Sequence, residues 1–238
     1  MKRCLVFCAF VACVLVSVAC SNPERQAYLA LGDSYATSEG ASSASATGYV
    51  PLFEAFLESG LGKQLSLRDL AENGETSATM IGKGQLARAL AELEFRNQDS
   101  DPTNNVLVIT LDIGGNDLRN LMLTGQPCAP PARVADAACL TAVAQTIDEV
   151  SQNLTAILRA LRVAAGPDVR ILVLDCSNPY SGTGQPLEAA EDAVLPILNG
   201  KIKDIAATPG INAQIVETFA GFEGKGAELT HVAEPSGD

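Results

Sequence analysis

Three short polar segments carry the residue types that acyl transfer requires. A Gly-Asp-Ser-Tyr segment occupies residues 32–35, and Ser34 supplies a hydroxyl that could act as a nucleophile. Gly74 supplies a backbone N–H without a side chain to obstruct it, and Asn116 supplies a side-chain amide. A tetrahedral intermediate needs such donors around its oxyanion, and the Ser34 N–H is a third. Each segment taken alone could instead be a turn or a helix cap.

The elements that must position these segments alternate between strand and helix patterns. Apolar runs at 28–32, 65–71, 106–111, 169–174 and 211–219 predict five strands. The runs at 106–111 and 169–174 are too apolar for half-exposed strands, so both of their faces must be covered. Strands joined by helical crossovers form a parallel sheet. The pattern therefore predicts an α/β fold: a three-layer α/β/α flavodoxin-like domain with a five-stranded parallel sheet.

Helical spacing of apolar residues predicts the intervening helices. The patterns cover 48–61, 80–95, 140–165 and 187–207. Pro196 interrupts the last of them. We expect a kink or break there, because proline lacks an N–H and its ring clashes with the preceding turn.

The three polar segments follow successive predicted strands, so the sheet would bring them to one edge. In this order and spacing they resemble the SGNH or GDSL family of serine esterases and lipases, from residue 29 to the end of the chain. The resemblance implies Ser34 as the nucleophile and Ser34, Gly74 and Asn116 as the oxyanion hole. It implies a lipase- or acylhydrolase-like enzyme that cleaves carboxylic esters through an acyl-serine intermediate. Residues 178–182 also resemble a loop that shapes the cleft of secreted members.

The general base is the feature in which this sequence departs from the family pattern. Members carry it in a late Asp-x-x-His-Pro loop followed by a closing helix, whereas this chain has one histidine, His231, with Glu228 three residues before it and no proline after it. Three alternatives follow: the catalytic histidine and the C-terminal helix are missing, His231 is the base, or another arrangement operates. The first predicts a feeble esterase or none, because an unassisted serine hydroxyl stays protonated at neutral pH.

Four aspartates lie at or near the ends of predicted strands and have simpler explanations than catalysis. Asp33 and Asp117 are expected to cap turns or helices. Asp112 could orient the loop backbone or be a solvated turn carboxylate. Asp175 ends a predicted strand at the same edge, and we expect it to lie outside the site.

The first 19 residues have the form of a signal peptide. Lys2 and Arg3 precede an uncharged run at 4–18 that is too short to span a bilayer comfortably. Cys20 resembles the lipidated cysteine of a bacterial lipobox, which predicts membrane attachment, while residues 17–19 also fit an ordinary cleavage site and a freely secreted protein. Both alternatives place the protein outside the cytoplasm. The predicted organisation is a signal peptide (1–19), a tether (20–26) and a C-terminally incomplete hydrolase domain (27–238).

Charge and cysteine content limit the partners. The net charge of −12, from 16 basic and 28 acidic residues, argues against nucleic acid. Cys128 and Cys139 flank a proline-rich loop that a disulfide could close in an oxidising compartment, and Cys176 is expected to be an inert core thiol. With one histidine and no CxxC pair, no metal or cofactor is implied. A monomer that acts on a small-molecule or lipid ester is expected.

The sequence leaves several classes of ester substrate as alternatives. Acyl lipids, acetylated sugars and short esters are all processed on this fold, and the absence of Trp with only 4 Tyr disfavours a platform for stacking sugars. A carbohydrate acetylesterase is an alternative within the enzyme class. Two alternatives outside it are a catalytically silent binding lipoprotein that lost its base, and a flavodoxin-like nucleotide binder.

Overall fold

The computed structural model describes residues 25–230, and its centre is one sheet of five parallel strands. The strand order is β2-β1-β3-β4-β5, and every neighbouring pair is parallel. The predicted α/β flavodoxin-like architecture is therefore confirmed. The strands are β1 (Ala27–Leu31), β2 (Ser66–Asp69), β3 (Val106–Asp112), β4 (Arg170–Leu174) and β5 (Gln214–Val216).

Helices cover both faces of the sheet. The apolar residues of α4, α6 and α7 form the larger part of the core, and α2 covers the opposite face over β1 and β3. The helices are α1 (Ala44–Thr47), α2 (Tyr49–Leu61), α3 (Ser77–Gly82), α4 (Gln85–Asn97), α5 (Gly115–Arg119), α6 (Ala137–Ala165), α7 (Pro186–Ala206), α8 (Thr218–Phe222) and α9 (Gly226–Leu229), with 3₁₀ turns at Asn120–Met122 and Pro131–Arg133.

The first strand shows why the sheet is a firm base for the loops at its carboxyl edge. All five residues of β1 are fully buried between two layers. Leu29 and Leu31 pack on the side of α4 and α6, whereas Tyr28 and Ala30 pack on the side of α2. Alternate residues point to opposite faces of a strand, so a strand that is apolar at every position is covered on both sides.

The structure corrects three predicted element boundaries. The helix predicted at 80–95 is two helices, because Gly84 has a φ of +98° between α3 and α4. Helix α7 continues through Pro196, which is exposed, so water can satisfy the carbonyl that proline leaves unpaired. The strand predicted at 211–219 is limited to Gln214–Val216, and α8 begins two residues later.

Cys128 and Cys139 are joined by a disulfide, with their Cα atoms 4.8 Å apart. Both residues are fully buried, and the bond ties the loop before α6 to the first turn of that helix. Within residues 25–230, no helix has the length and apolar character needed to cross a membrane.

Candidate active site

Ser34 lies on the turn that follows β1, and Gly32 makes that turn possible. Gly32 has a φ of +143°, and a Cβ added there would lie 1.8 Å from Oδ1 of Asp112. The buried side chain of Gln85 holds the same residue: Gly32 N–H donates to Gln85 Oε1 at 2.8 Å, and Gln85 Nε2 donates to Gly32 O at 3.0 Å. These contacts fix the direction in which the chain leaves the sheet. Sequence reasoning missed Gln85, since no local pattern connects residues 53 positions apart.

The side-chain amide of Asn116 connects all three predicted segments. Its Nδ2 atom donates to Oδ2 of Asp33 and to the backbone oxygen of Glu75, each at 3.0 Å. Asp33 precedes Ser34 and Glu75 follows Gly74, so one amide joins the loops after β1, β2 and β3. Both N–H groups of Asn116 are used in these bonds. An oxyanion would therefore share one of them in a three-centre bond.

The backbone N–H groups of Ser34 and Gly74 are among those at this edge for which no acceptor is found within residues 25–230. Gly74 is exposed, and a Cβ added there would meet nothing within 4 Å. Its φ of +71° lies in the left-handed region, so the backbone conformation, rather than a close approach, favours glycine. Both donors are available to a ligand.

Asp33 and Asp112 form a buried pair of carboxyl groups beside Ser34, with 5% and 7% exposure. Tyr35 N–H donates to Asp33 Oδ1 at 3.0 Å, and Tyr49 Oη donates to Asp112 Oδ1 at 3.1 Å. Burial raises the pKa of both carboxyls, and the charge of Asp33 raises the pKa of Asp112 further. The raised pKa favours the neutral form of Asp112, whose Oδ2 atom is buried without a hydrogen-bond partner among residues 25–230. The alternative of a solvated carboxylate at Asp112 is wrong.

Asp117 holds α3 against α5. Its Oδ2 accepts the N–H of Ser77 at 2.9 Å, and its Oδ1 accepts the Ser77 hydroxyl at 2.7 Å. Asn153 on α6 donates to the same hydroxyl at 3.0 Å. Since Ser77 is the first residue of α3, Asp117 caps a neighbouring helix, and the loop that carries Gly74 is fixed to the loop that carries Asn116.

Two cavities meet at Ser34. The first, which we name the inner chamber, has a cavity volume of about 130 Å³. The second, the outer groove, is wider and more open, with a cavity volume of about 650 Å³. The inner chamber is lined by residues that include Ser34, Asn116, Leu118, Met122, Val194 and Leu195, and the outer groove by residues that include Ser34, Ser38, Glu39, Thr47, Glu228 and Thr230.

Three side chains besides Ser34 line both cavities and form a neck between them: Tyr35, Arg119 and Phe222. The rings of Tyr35 and Phe222 meet edge to face with centroids 6.1 Å apart. Arg119 Nε donates to Glu191 Oε1 at 2.9 Å, and its guanidinium lies 5.6 Å from the centroid of the Tyr180 ring. The neck is therefore fixed by packing and by an ion pair. Sequence reasoning missed it, because these residues come from three separate segments.

Residues 218–230, the C-terminal arm, reach the outer groove from the edge strand β5. Asp175 anchors the start of the arm, since its Oδ1 accepts the N–H groups of Thr218 at 2.6 Å and Phe219 at 2.8 Å. Asp175 also lines the inner chamber. The expectation that it lies outside the site is therefore wrong.

The far end of the arm is held by a close backbone contact. Gly226 N–H donates to Ser181 O at 2.6 Å, and a Cβ added at Gly226 would lie 2.3 Å from Pro179 O. Gly224 N–H donates to Ser181 Oγ at 2.8 Å. The segment 178–182 thus supports the arm, and the arm brings Thr230 to the outer groove. His231 and Cys20 lie outside the described residues.

Cys176 has the surroundings of an inert thiol. It packs against Gly114 and Gly115, and the side chain of Asn199 bonds to both its N–H and its carbonyl, at 2.8 and 2.9 Å. Burial, followed by the charge of Asp33, raises the pKa of its thiol well above the usual value. A thiolate nucleophile is therefore disfavoured here.

The chain belongs to the GDSL-like Lipase/Acylhydrolase family, whose model matches residues 30–231. It is therefore a carboxylic ester hydrolase by family. The matched range contains all the segments that converge on Ser34. No curated protein matches the sequence.

Solved structures with the same fold include several ester hydrolases. The lipase Lip_vut3 from a goat rumen metagenome is 19% identical, with 87% of each chain covered and a TM-score of 0.63. Phospholipase A1 from Streptomyces albidoflavus NA297 is 19% identical over 86% of this chain and 85% of its own, with a TM-score of 0.56. The extracellular lipase from Streptomyces rimosus is 19% identical over 83% and 82%, with a TM-score of 0.53. At these identities the likeness establishes the fold.

Proposed function

We propose that Ser34 is the nucleophile of this ester hydrolase and that His231 is its general base. His231 takes the proton from Ser34 Oγ as that oxygen attacks the ester carbonyl, and then gives the proton to the departing alcohol. Water repeats the sequence on the acyl-serine, releasing the acid. The observation that carries the proposal is the position of Ser34 at the meeting point of two cavities.

The proposed oxyanion hole consists of the N–H groups of Ser34 and Gly74 and the amide of Asn116. Support comes from the backbone N–H groups of Ser34 and Gly74, for which no acceptor is found in the region 25–230. An unpaired donor costs free energy unless a ligand or water accepts its hydrogen bond. Asn116 would contribute by sharing an N–H, while its bonds to Asp33 and Glu75 keep the three loops together.

The proposal for His231 rests on the path of the C-terminal arm. Thr230, the residue before His231 in the chain, lines the same groove as Ser34. Glu228 also lines this groove and is the proposed partner that orients the imidazole. A base located in another segment is the competing hypothesis, and it predicts that His231 is dispensable.

We further propose that the protein works outside the cytoplasm, either lipidated at Cys20 or freely secreted after removal of residues 1–19. The Cys128–Cys139 disulfide supports an oxidising compartment. The similar lipase from Streptomyces rimosus is extracellular. Residues 27–238 would form the hydrolase domain of a monomer.

The roles of Ser34 and His231 can be tested with a serine-directed fluorophosphonate probe and p-nitrophenyl butyrate. We expect the full chain to be labelled at Ser34, and we expect Ser34→Ala to lose both labelling and hydrolysis. His231→Ala should lower kcat by about a thousandfold or more. Ser38→Ala, a serine in the same groove, is the matched control and should behave as the parent protein.

The proposed nucleophile and the proposed base would be contradicted by different results. Labelling of a serine other than Ser34 would refute the nucleophile. Full hydrolysis by His231→Ala would refute the base while leaving the nucleophile intact. A folded parent protein that neither reacts with the probe nor cleaves the ester would favour the silent binding lipoprotein.

A further inference from the structure

We propose that the outward face of α2 is a membrane-docking surface, which lies against a bilayer of neutral lipid. The inference rests on the proposed location outside the cytoplasm and adds a surface and a partner to it. The juxtaposition that supports it is an uncharged, partly apolar helix face with the outer groove at one end and the tether (20–26) at the other.

Helix α2 exposes large apolar side chains where a surface helix normally carries polar ones. Leu52 is 56% exposed and Phe56 is 69% exposed, and their spacing of four residues makes them neighbours on the helix surface. The ring of Phe56 stacks on that of Phe53 with centroids 6.2 Å apart. Phe53 in turn meets Tyr28 of the core edge to face, so a well-packed helix supports the exposed pair.

The same face of α2 carries no charge. Its exposed positions are Leu52, Ala55, Phe56, Ser59, Gly60 and Leu61. The two carboxylates of the helix, Glu54 and Glu58, are half-buried, and Glu58 accepts the N–H of Leu65 at 2.7 Å. Residues 40–53 also contain no charged residue, so the chain stays uncharged from the outer groove to the middle of α2. Such a surface is typical of an interaction site.

Helix α2 connects the outer groove to the tether. Gly48, which lines the groove, directly precedes the first residue of the helix. Lys63 lies two residues beyond the other end and donates a hydrogen bond to Gln26 of the tether. Thirteen residues of α-helix measure about 20 Å. A bilayer that covers the face therefore lies beside the rim of the groove and the point where the tether joins the fold.

The length of the tether favours a lipid surface as the partner. Five residue steps separate Cys20 from Arg25, and an extended chain of that length spans about 17 Å at most. Lipidation at Cys20 would hold the end of α2 within this distance of a bilayer, at a high effective concentration. A few apolar side chains then suffice, because an anchor and a weak second signal act together. In the freely secreted alternative the same face binds reversibly.

The charge of the protein selects neutral lipid. The net charge of −12 opposes association with anionic headgroups. Arg25 and Lys63 are exposed cations near the tether end of α2, where their long side chains can reach headgroup phosphates from an apolar contact. We therefore expect binding to phosphatidylcholine, and weaker binding when phosphatidylglycerol replaces part of it.

The absence of tryptophan makes the face directly testable. The mature chain 20–238, which contains the whole described fold, can be coupled through Cys20 to a maleimide lipid in phosphatidylcholine vesicles. Phe56→Trp then supplies a single fluorophore, whose emission should shift to shorter wavelength and be quenched by brominated lipids. Phe95→Trp is the matched control, because Phe95 is 58% exposed on α4 at the opposite side of the sheet. Equal emission and quenching in the two variants would overturn the proposal.

The affinity of the uncoupled chain gives a second measurement. With Cys20→Ser to prevent coupling, Leu52→Ser combined with Phe56→Ser should lower the vesicle partition coefficient about tenfold or more, because less apolar surface leaves water. Phe95→Ser combined with Val163→Ser is the control, since Val163 is 83% exposed on α6 and the pair should partition as the parent chain does. Equal losses in both double variants would contradict a specific role for α2.

Light scattering without lipid tests whether a second copy of the chain covers α2 instead. We expect a monomer. A dimer that Phe56→Ser dissociates would overturn the assignment of the face to a membrane.

Hydrolysis of p-nitrophenyl butyrate in solution separates this inference from the proposed catalytic role. Leu52→Ser combined with Phe56→Ser should leave that hydrolysis unchanged. Vesicle contact at residue 56 without hydrolysis by the parent protein would refute the catalytic role and retain the docking surface. Hydrolysis without that contact would refute the surface and retain catalysis. The vesicle measurements do not depend on export, so failure of a secreting host to process the full chain before Cys20 would refute the location alone.

Discussion

The two halves of the site differ in how they are held. The half that carries Ser34 and Asn116 follows two strands in the middle of the sheet that are almost completely buried, and the hydrogen bonds of Gly32 to Gln85 and of Asn116 to Asp33 fix its loops. The half that leads to His231 follows the edge strand β5, whose residues are mostly exposed. It is attached by Asp175 at one end and by the close contact at Gly226 at the other.

This difference indicates a division of stability within one site. Elements with many buried contacts open only with global unfolding, whereas edge segments with few contacts open locally. We therefore expect substitutions in the central half to affect chemistry and the core together. Substitutions in the C-terminal arm should lower activity with less effect on the global free energy of unfolding.

Among the substitutions that compare the supports of the two halves, the largest expected effect lies in the central half, at Asn116. Asn116→Ala removes a proposed oxyanion donor and leaves Asp33 and the carbonyl of Glu75 without their partner. We expect kcat to fall about a hundred- to a thousandfold, with a smaller change in KM. Steady-state kinetics on p-nitrophenyl butyrate measure this, with circular dichroism to verify folding. An unchanged kcat in a folded variant would remove Asn116 from the oxyanion hole.

The next effect lies in the arm, at Gly226. Gly226→Ala places a Cβ 2.3 Å from Pro179 O, which forces the arm away from its support at a cost of about 1–3 kcal/mol. We expect kcat/KM to fall about tenfold while the urea midpoint of global unfolding changes little. Gly221→Ala, in α8 of the same arm, meets nothing within 4 Å and is the control. Equal losses in both variants would contradict a specific role for the Gly226 contact.

The carboxyl pair of the central half predicts a pH dependence of stability. Burial raises the pKa of Asp112 in the folded protein above its ordinary value near 4, so its contribution is complete below that pH and is lost as pH rises. Asp112→Asn keeps an acceptor for the Tyr49 hydroxyl but does not titrate. Relative to this variant, the wild type should lose about 1.4 kcal/mol of unfolding free energy per pH unit above pH 4, until the raised pKa is reached.

Urea unfolding at pH 5, 6 and 7 measures that slope directly. The control is Asp204→Asn, at an exposed residue of α7. Its unfolding free energy, plotted against pH, should run parallel to that of the wild type. Parallel curves for Asp112→Asn as well would mean that Asp112 is ionised in the folded protein.

The smallest expected effect concerns the start of the arm. Asp175→Ala leaves the N–H groups of Thr218 and Phe219 without their acceptor, at a cost of about 1 kcal/mol. Hydrogen exchange should accelerate at these two amides about fivefold and remain unchanged in β1. Acceleration throughout the sheet would show that the arm and the centre unfold as one unit, and would remove the distinction between the two halves.

Much of the central half could be predicted from local patterns. Apolar runs located all five strands, and the parallel topology implied that the segments after β1, β2 and β3 would meet. Asn116 does contact the loops of both Ser34 and Gly74. Boundaries were less accurate where one residue overrides a pattern, as at Gly84 between two helices. The break predicted at Pro196 does not occur. The proline lies on an exposed face of α7, where water can satisfy the carbonyl that it leaves unpaired.

By itself, the sequence determined the family, the sheet and the order of the polar segments along its edge, because hydrophobic periodicity and strand ends are local properties of the chain. Only the tertiary structure decided that Asp112 is buried beside Asp33, that Arg119 narrows the space beside Ser34, and that Gly226 fixes the C-terminal arm. These contacts join residues about 45 to 80 positions apart. Such partners are chosen by packing in three dimensions, where a buried polar group must find whichever neighbour the fold provides.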